Sequence, residues 1–175
     1  MFNIMTKINS TPPYSIKVYK QNFNFACSHF LIFDDGSREP LHGHNYRVSL
    51  EGTSEALEKD MVFDFLDIKP IVREICQELD HKLLLPKKHP KLKIKPLEQN
   101  YQVTCPDQSF FSFPKQDVLL LPIENTSAER LAIYFSHELA QRVKKKFDFI
   151  FKSLSIEVEE TPGQSAIFKL SGDSL

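Results

Sequence analysis

The stretch Arg38-Glu39-Pro40-Leu41-His42-Gly43-His44-Asn45-Tyr46 carries two imidazoles two positions apart, beside a carboxylate. In an extended strand, residues i and i+2 point the same way, so His42 and His44 can grip one ion. A third histidine, His29, ends an earlier strand-like run. Three neutral imidazoles around Zn²⁺ leave a fourth position for water or substrate, which is the layout of a catalytic metal site. Glu39 stands three residues before the first of the HxH pair, and Pro40 biases it to an extended conformation. A carboxylate so placed is a candidate general base.

These side chains need elements to position them. Lys17, Tyr19, Gln21, Phe23, Phe25, Cys27 and His29 share one parity and become apolar toward the end, which predicts a first strand with His29 on its core side. After a turn at Asp34-Asp35-Gly36-Ser37, His44, Tyr46, Val48 and Leu50 alternate with Asn45, Arg47, Ser49 and Glu51. All three histidines are therefore expected on the buried side of an antiparallel hairpin. A helix is predicted from Asp67, with Ile68, Ile71, Val72, Ile75 and Leu79 on one face and Pro70 in its first turn. Its end delivers Asp80-His81, which reads either as a helix C-terminus with a favourable cation or as a proton relay.

Residues 87–117 start Lys- and Pro-rich and then read as a short hairpin around Pro106-Asp107, a lid or edge insertion. A strand Asp117–Leu121 leads to Thr126-Ser127-Ala128-Glu129, where Thr126 as N-cap and Glu129 three residues on match a capping box. The same helix N-terminus, at Thr126 and Ser127, offers N–H groups to a substrate. The final long strand sets Leu154, Ile156, Val158 and Glu160 on one face, so the Glu160 carboxylate lies on the apolar parity and suits a buried, substrate-pairing role. Residues 165–170 read as a closing edge strand.

Composition narrows the function classes. With 41% hydrophobic residues and 15 Phe among 175, the chain can bury a substantial single core, expected over residues 15–175 behind an N-terminal extension of residues 1–14. Lys+Arg (22) nearly balance Asp+Glu (23), and Lys144-Lys145-Lys146 suits the last turn of a helix, so neither nucleic acid nor a membrane surface is an expected partner. No run approaches the roughly 18 apolar residues of a membrane span. Cys27, Cys76 and Cys105 form neither a CxxC pair nor an even disulfide framework, which points to a reducing, cytoplasmic setting. Cys27 shares a face with His29 but reads as a small buried hydrophobe. His89 and His137 read as a loop residue and a helix-surface residue.

Taken together, Phe25-Ala26-Cys27-Ser28-His29, His42-Gly43-His44-Asn45-Tyr46, Met61-Val62-Phe63-Asp64-Phe65, Leu79-Asp80-His81, Thr126-Ser127-Ala128-Glu129 and Glu160-Thr161 resemble the 6-pyruvoyltetrahydropterin synthase / 6-carboxytetrahydropterin synthase family, in the family's order. The resemblance implies an α+β T-fold: a four-stranded antiparallel sheet with two helices on one face, oligomerising into a barrel. It implies trimers or hexamers with pterin sites at subunit interfaces. Zn²⁺ would lie on His29, His42 and His44, Glu160 would anchor the pterin ring, Asp80 and His81 would relay protons, and 7,8-dihydroneopterin triphosphate would be the substrate.

One departure changes the expected product. The family places a catalytic Cys a few residues before the HGH block, whereas residues 34–41 contain none and Glu39 stands there instead. This resembles the variant branch, seen in malaria parasites, in which Glu replaces Cys and 6-hydroxymethyl-7,8-dihydropterin, a folate precursor, is formed beside or instead of the 6-pyruvoyl product. Two other readings stand beside it: a non-catalytic zinc-binding module, which needs a fourth protein ligand, and a 6-carboxytetrahydropterin synthase of queuosine biosynthesis.

Overall fold

The structure, a computed structural model, describes residues 12–171, so most of the expected extension at residues 1–14 lies outside the described residues. The main sheet has six strands in the order β7-β3-β1-β2-β8-β9. They are β1 (Tyr14–His29), β2 (His42–Ser54), β3 (Lys82–Pro86), β7 (Val118–Leu121), β8 (Ser153–Thr161) and β9 (Gln164–Ser171). A separate sheet holds β4 (Lys93–Leu97), β5 (Asn100–Thr104) and β6 (Phe110–Pro114). Two helices, α1 (Phe65–Leu79) and α2 (Ala128–Phe147), complete the α+β fold.

The expected sheet of four antiparallel strands is thus too small, and it is not wholly antiparallel. β3 runs parallel to β1 and β7 runs parallel to β3. The segment Lys82-Leu-Leu-Leu-Pro shows no alternation because β3 separates two cores. Leu84 joins the main core, while Leu83 and Leu85 join a second one with Phe30, Ile32, Val103, Cys105 and Val118. A strand buried on both faces reads as a continuous apolar run.

The main core lies between the sheet and both helices. Phe25, Tyr46, Val48, Leu50, Leu154, Ile156 and Val158 meet Ile68, Ile71, Ile75, Leu131, Phe135 and Leu139, all buried. The helices are further joined by Arg142 of α2, whose guanidinium donates twice to Glu78 of α1, at 2.9 and 2.7 Å, and is itself steadied by two donations to Glu138 Oε2 of its own helix, at 3.3 and 3.0 Å.

Three local expectations shift. The register of β1 against β2 is interrupted between Tyr19 and Asn24, so inward parity changes: Val18 is buried before the irregularity, and Phe23, Phe25, Cys27 and His29 after it, while Lys17 and Tyr19 are exposed. A strand read with one parity throughout misses such a bulge. Helix α1 starts at Phe65 rather than Asp67, because the Asp64 side chain accepts the Leu66 N–H at 2.7 Å as N-cap. Pro70 therefore lies beyond the first turn. The N-cap of α2 is Ser127, not Thr126, since Ser127 Oγ accepts from the Arg130 N–H at 3.4 Å.

Gly52 of β2 is buried against Phe151: a Cβ there would lie 2.6 Å from Cε1 and 2.7 Å from Cδ1 of that ring. The ring is itself in the core and 1% exposed. A Gly52→Ala variant is expected to lose about 1–3 kcal/mol by overpacking, read as a lowered urea midpoint with unchanged m.

Candidate active site

Antiparallel pairing of β1 with β2 places His29 opposite His42 and Cys27 opposite His44. With i and i+2 on one face, the three imidazoles meet at the end of the hairpin. Ring centroids are 4.6 Å apart for His29–His42, 4.9 Å for His42–His44 and 5.4 Å for His29–His44. One nitrogen from each lies within 4.8 Å of the others, a group that could hold a metal ion.

Backbone carbonyls fix two of the rings. His29 donates from Nδ1 to the Thr126 carbonyl at 3.0 Å, and His42 donates from Nδ1 to the Pro40 carbonyl at 2.8 Å. A carbonyl only accepts, so both rings carry the proton on Nδ1 and present the Nε2 lone pair to the cluster. Burial, and next the adjacent His42, push the His29 pKa below its ordinary value against the opposing pull of Thr126 and Glu160. The neutral, ligating form is thereby favoured. Thr126 is fully buried, and its hydroxyl donates to the Phe30 carbonyl at 2.9 Å. It holds His29 in place rather than facing a groove, while Ser127 caps α2.

Two carboxylates flank the imidazoles. Glu160 Oε1 lies 3.8 Å from His29 Nε2 and 3.7 Å from His44 Nε2. Glu39 Oε2 lies 3.9 Å from His42 Nε2 and accepts the Leu31 N–H at 3.2 Å. Between Glu160 and His29 stands Tyr46, which the sequence reading placed only in the core-side alternation. Its hydroxyl donates to Glu160 Oε1 at 2.9 Å and sits 3.1 Å from His29 Nε2, while its ring stacks on Phe25 at 4.9 Å. Burial, reinforced by the Glu160 charge, raises its pKa, so it remains a phenol and a donor. The available signal was a tyrosine at the apolar parity two residues after a histidine, since a buried Tyr hydroxyl requires a partner.

Asp80 and His81 are joined to each other, with His81 Nδ1 2.8 Å from Asp80 Oδ2. Burial works against the Asp80 charge, yet the Ala26 N–H, donating to Oδ1 at 2.7 Å, and His81 hold its pKa below the ordinary value. The His81 side chain is 83% exposed, and among the described residues no hydrogen bond or ion pair joins it to the three imidazoles. It does share with His44 an open groove of about 500 Å³, also lined by Ser28, Asn45 and Phe113. Cys27 is buried, and burial, followed by the Asp80 and Glu160 charges, raises its thiol pKa to about 12.

The model of the 6-pyruvoyl tetrahydropterin synthase family matches residues 17–171. The chain belongs to this family. Membership makes it an enzyme, a lyase of the tetrahydropterin synthase kind. Plasmodium vivax 6-pyruvoyltetrahydropterin synthase is similar to it at a TM-score of 0.84 and 34% identity, covering 90% of this chain and 98% of that one. In two structures of that protein a glutamate, described as a catalytic residue, is replaced by Ala or Cys, so the likeness extends to the glutamate-bearing branch. The Plasmodium falciparum enzyme matches at a TM-score of 0.82 and 33% identity, over 90% of this chain and 98% of its own. A protein of Methanocaldococcus jannaschii assigned as a 6-carboxy-5,6,7,8-tetrahydropterin synthase is 39% identical over 150 residues, 83% of this chain and 88% of that protein.

A lowered pKa in the folded state gives His29 a stabilising contribution that is present above its ordinary value of 6.5 and is lost as pH falls from there through the lowered value. Metal-free protein is therefore expected to lose stability between pH 7.5 and pH 5. Urea unfolding at both pH values checks this, and the loss should shrink in a His29→Asn variant.

Proposed function

We propose that this family member is a zinc-dependent lyase that cleaves 7,8-dihydroneopterin triphosphate to 6-hydroxymethyl-7,8-dihydropterin, with Glu39 as the base. The observation that carries the reading is the Glu39 carboxylate 3.9 Å from His42 at the imidazole cluster. The cysteine near the cluster, Cys27, is buried with its thiol pKa raised to about 12, so it offers no thiolate near neutral pH.

His29, His42 and His44 would hold Zn²⁺ through their imidazole nitrogens, and the donor set suits it: three imidazoles, with His29 kept neutral by burial. The bound ion supplies Lewis acidity toward the hydroxyls of the substrate side chain. Glu39 takes the C2′ hydroxyl proton. As C2′ becomes a carbonyl, the C1′–C2′ bond breaks, its electron pair forms C1′=C6, and the C6=N5 π pair moves onto N5 until protonation at C1′ restores that double bond. The triphosphate-bearing two-carbon aldehyde departs, and a proton delivered to C1′ completes the hydroxymethyl group. A carboxylate is a weaker base than a thiolate by several pKa units, which favours removal of an acidified hydroxyl proton over a carbon-bound one.

Glu160, oriented by the Tyr46 hydroxyl, pairs with N–H groups of the pterin ring. His81, held by Asp80, delivers the returning proton. Its exposure suits a site completed between copies of the chain, as a trimer or hexamer would provide.

A second reading rests on a specific observation. Relatives from Methanocaldococcus jannaschii and Pyrococcus horikoshii, 39% and 30% identical, are assigned as 6-carboxy-5,6,7,8-tetrahydropterin synthases. The same site would then form the 6-carboxy product.

Incubation of zinc-loaded protein with 7,8-dihydroneopterin triphosphate, followed by mass spectrometry, separates the readings. A 6-hydroxymethyl-7,8-dihydropterin peak that disappears on chelation is expected, and it should fall about 10²- to 10⁴-fold in Glu39→Gln. A 6-carboxy product would favour the second reading, and a 6-pyruvoyl product alone would overturn the role given to Glu39. Alanine at His29, His42 or His44 is expected to abolish stoichiometric zinc binding, measured by metal analysis after gel filtration.

A further inference from the structure

Glu39 lies in the connection between β1 and β2, residues 30–41, which contains no regular element beyond the isolated bridge Ile32↔Arg38. A general base must be held within about 0.5 Å of its working position by its surroundings. Two backbone contacts to Leu31 help: the Glu39 N–H donates to the Leu31 carbonyl at 3.0 Å, and the Leu31 N–H donates to Glu39 Oε2 at 3.2 Å. Both partners lie in the same connection, which the Asn125 side chain anchors at Ile32 at 3.3 and 2.8 Å, but neither ties Glu39 to the three-stranded sheet.

Arg38 supplies that tie. Its Nη1 donates to the Glu39 carbonyl at 2.7 Å. Its Nε donates to Ser109 Oγ at 2.7 Å and lies 3.1 Å from Asp107 Oδ2. Its guanidinium lies over the rings of Phe111 and Phe30, 4.8 and 5.6 Å from their centroids. Asp107 and Ser109 form the turn between β5 and β6, which is itself closed: Asp107 Oδ1 accepts the Ser109 N–H at 2.9 Å, and the Cys105 N–H donates to the Ser109 carbonyl at 3.0 Å. The turn meets the β1–β2 connection a second time, because a Cβ at Gly36 would lie 3.4 Å from Pro106 Cβ. Phe111 and Val103 fasten the same sheet to the second core.

We propose that Arg38 is a positioning residue for Glu39 and that the Asp107/Ser109 turn of the three-stranded sheet holds Arg38 for this purpose. The separate sheet thus sets the geometry of the base through Arg38. A planar guanidinium fork suits three simultaneous partners and two ring faces, which a lysine ammonium does not reproduce. The proposal rests on the reading of Glu39 as the base.

The test is a double-mutant cycle on turnover of 7,8-dihydroneopterin triphosphate with zinc-loaded protein. Arg38→Lys and Asp107→Asn are each expected to lower kcat about ten- to hundredfold with little change in KM and full zinc content. In a Glu39→Gln background, Arg38→Lys is expected to cause no further loss, because a residue acting through Glu39 has nothing left to position. Losses that multiply in the double variant, or single variants with unchanged kcat, would overturn the role of Arg38. Full turnover by Glu39→Gln alone would sink the base assignment instead, so the two failures are distinguishable. Where Arg38→Lys lowers zinc content or the circular dichroism signal, Asp107→Asn decides the question, since its side-chain carbonyl still accepts the Ser109 N–H while the charged acceptor facing Arg38 is replaced by an amide NH2.

Discussion

The antiparallel register that sets His29 opposite His42 and Cys27 opposite His44 is the constraint on which the site depends. A slip of one residue would turn one strand's side chains to the other sheet face and scatter the cluster. The register is held where the two strands are most apolar. Phe25 is paired with Tyr46, and their rings stack with one another and, through Phe25, with Phe135 of α2. The aromatic core therefore orders the imidazoles that stand at its edge.

Three imidazoles and a carboxylate at the margin of an apolar core need satisfied hydrogen bonds, since an unpaired buried polar group is costly. The structure meets this with Thr126, Pro40 and Tyr46, and among the described residues no buried side-chain nitrogen or oxygen is left without a partner. These contacts also select the tautomers of His29 and His42. Thr126 joins the two ends of this arrangement, because it receives the His29 proton contact and bonds the Phe30 carbonyl next to it.

The second sheet gives the molecule a feature beyond the two-helix, one-sheet plan. Its core is distinct from the main one, and β3 is the strand between them. Through Arg38, its β5–β6 turn reaches the backbone of the residue proposed as the base. A segment whose Lys- and Pro-rich start suggests a peripheral lid is therefore attached, through Arg38, to the backbone beside the imidazole cluster.

Much of this was legible in the chain itself. Alternation put His42, His44 and Glu160 on the inward parity of strands that do form, and the spacing of Ile68, Ile71, Val72 and Ile75 marked α1, because periodicity is a local property of side-chain direction. The blocks around the histidines were enough to indicate the family. Other features required the folded chain. β3 could not be read because burial on both faces erases alternation, and the bulge in β1 hid the change of parity before Phe23. The roles of Thr126 and Tyr46 arise from partners 97 and 17 residues away in sequence, and Arg38 finds Ser109 across 71. Spacing along a strand decides which way a side chain points, whereas only the packing of distant segments decides what it meets there.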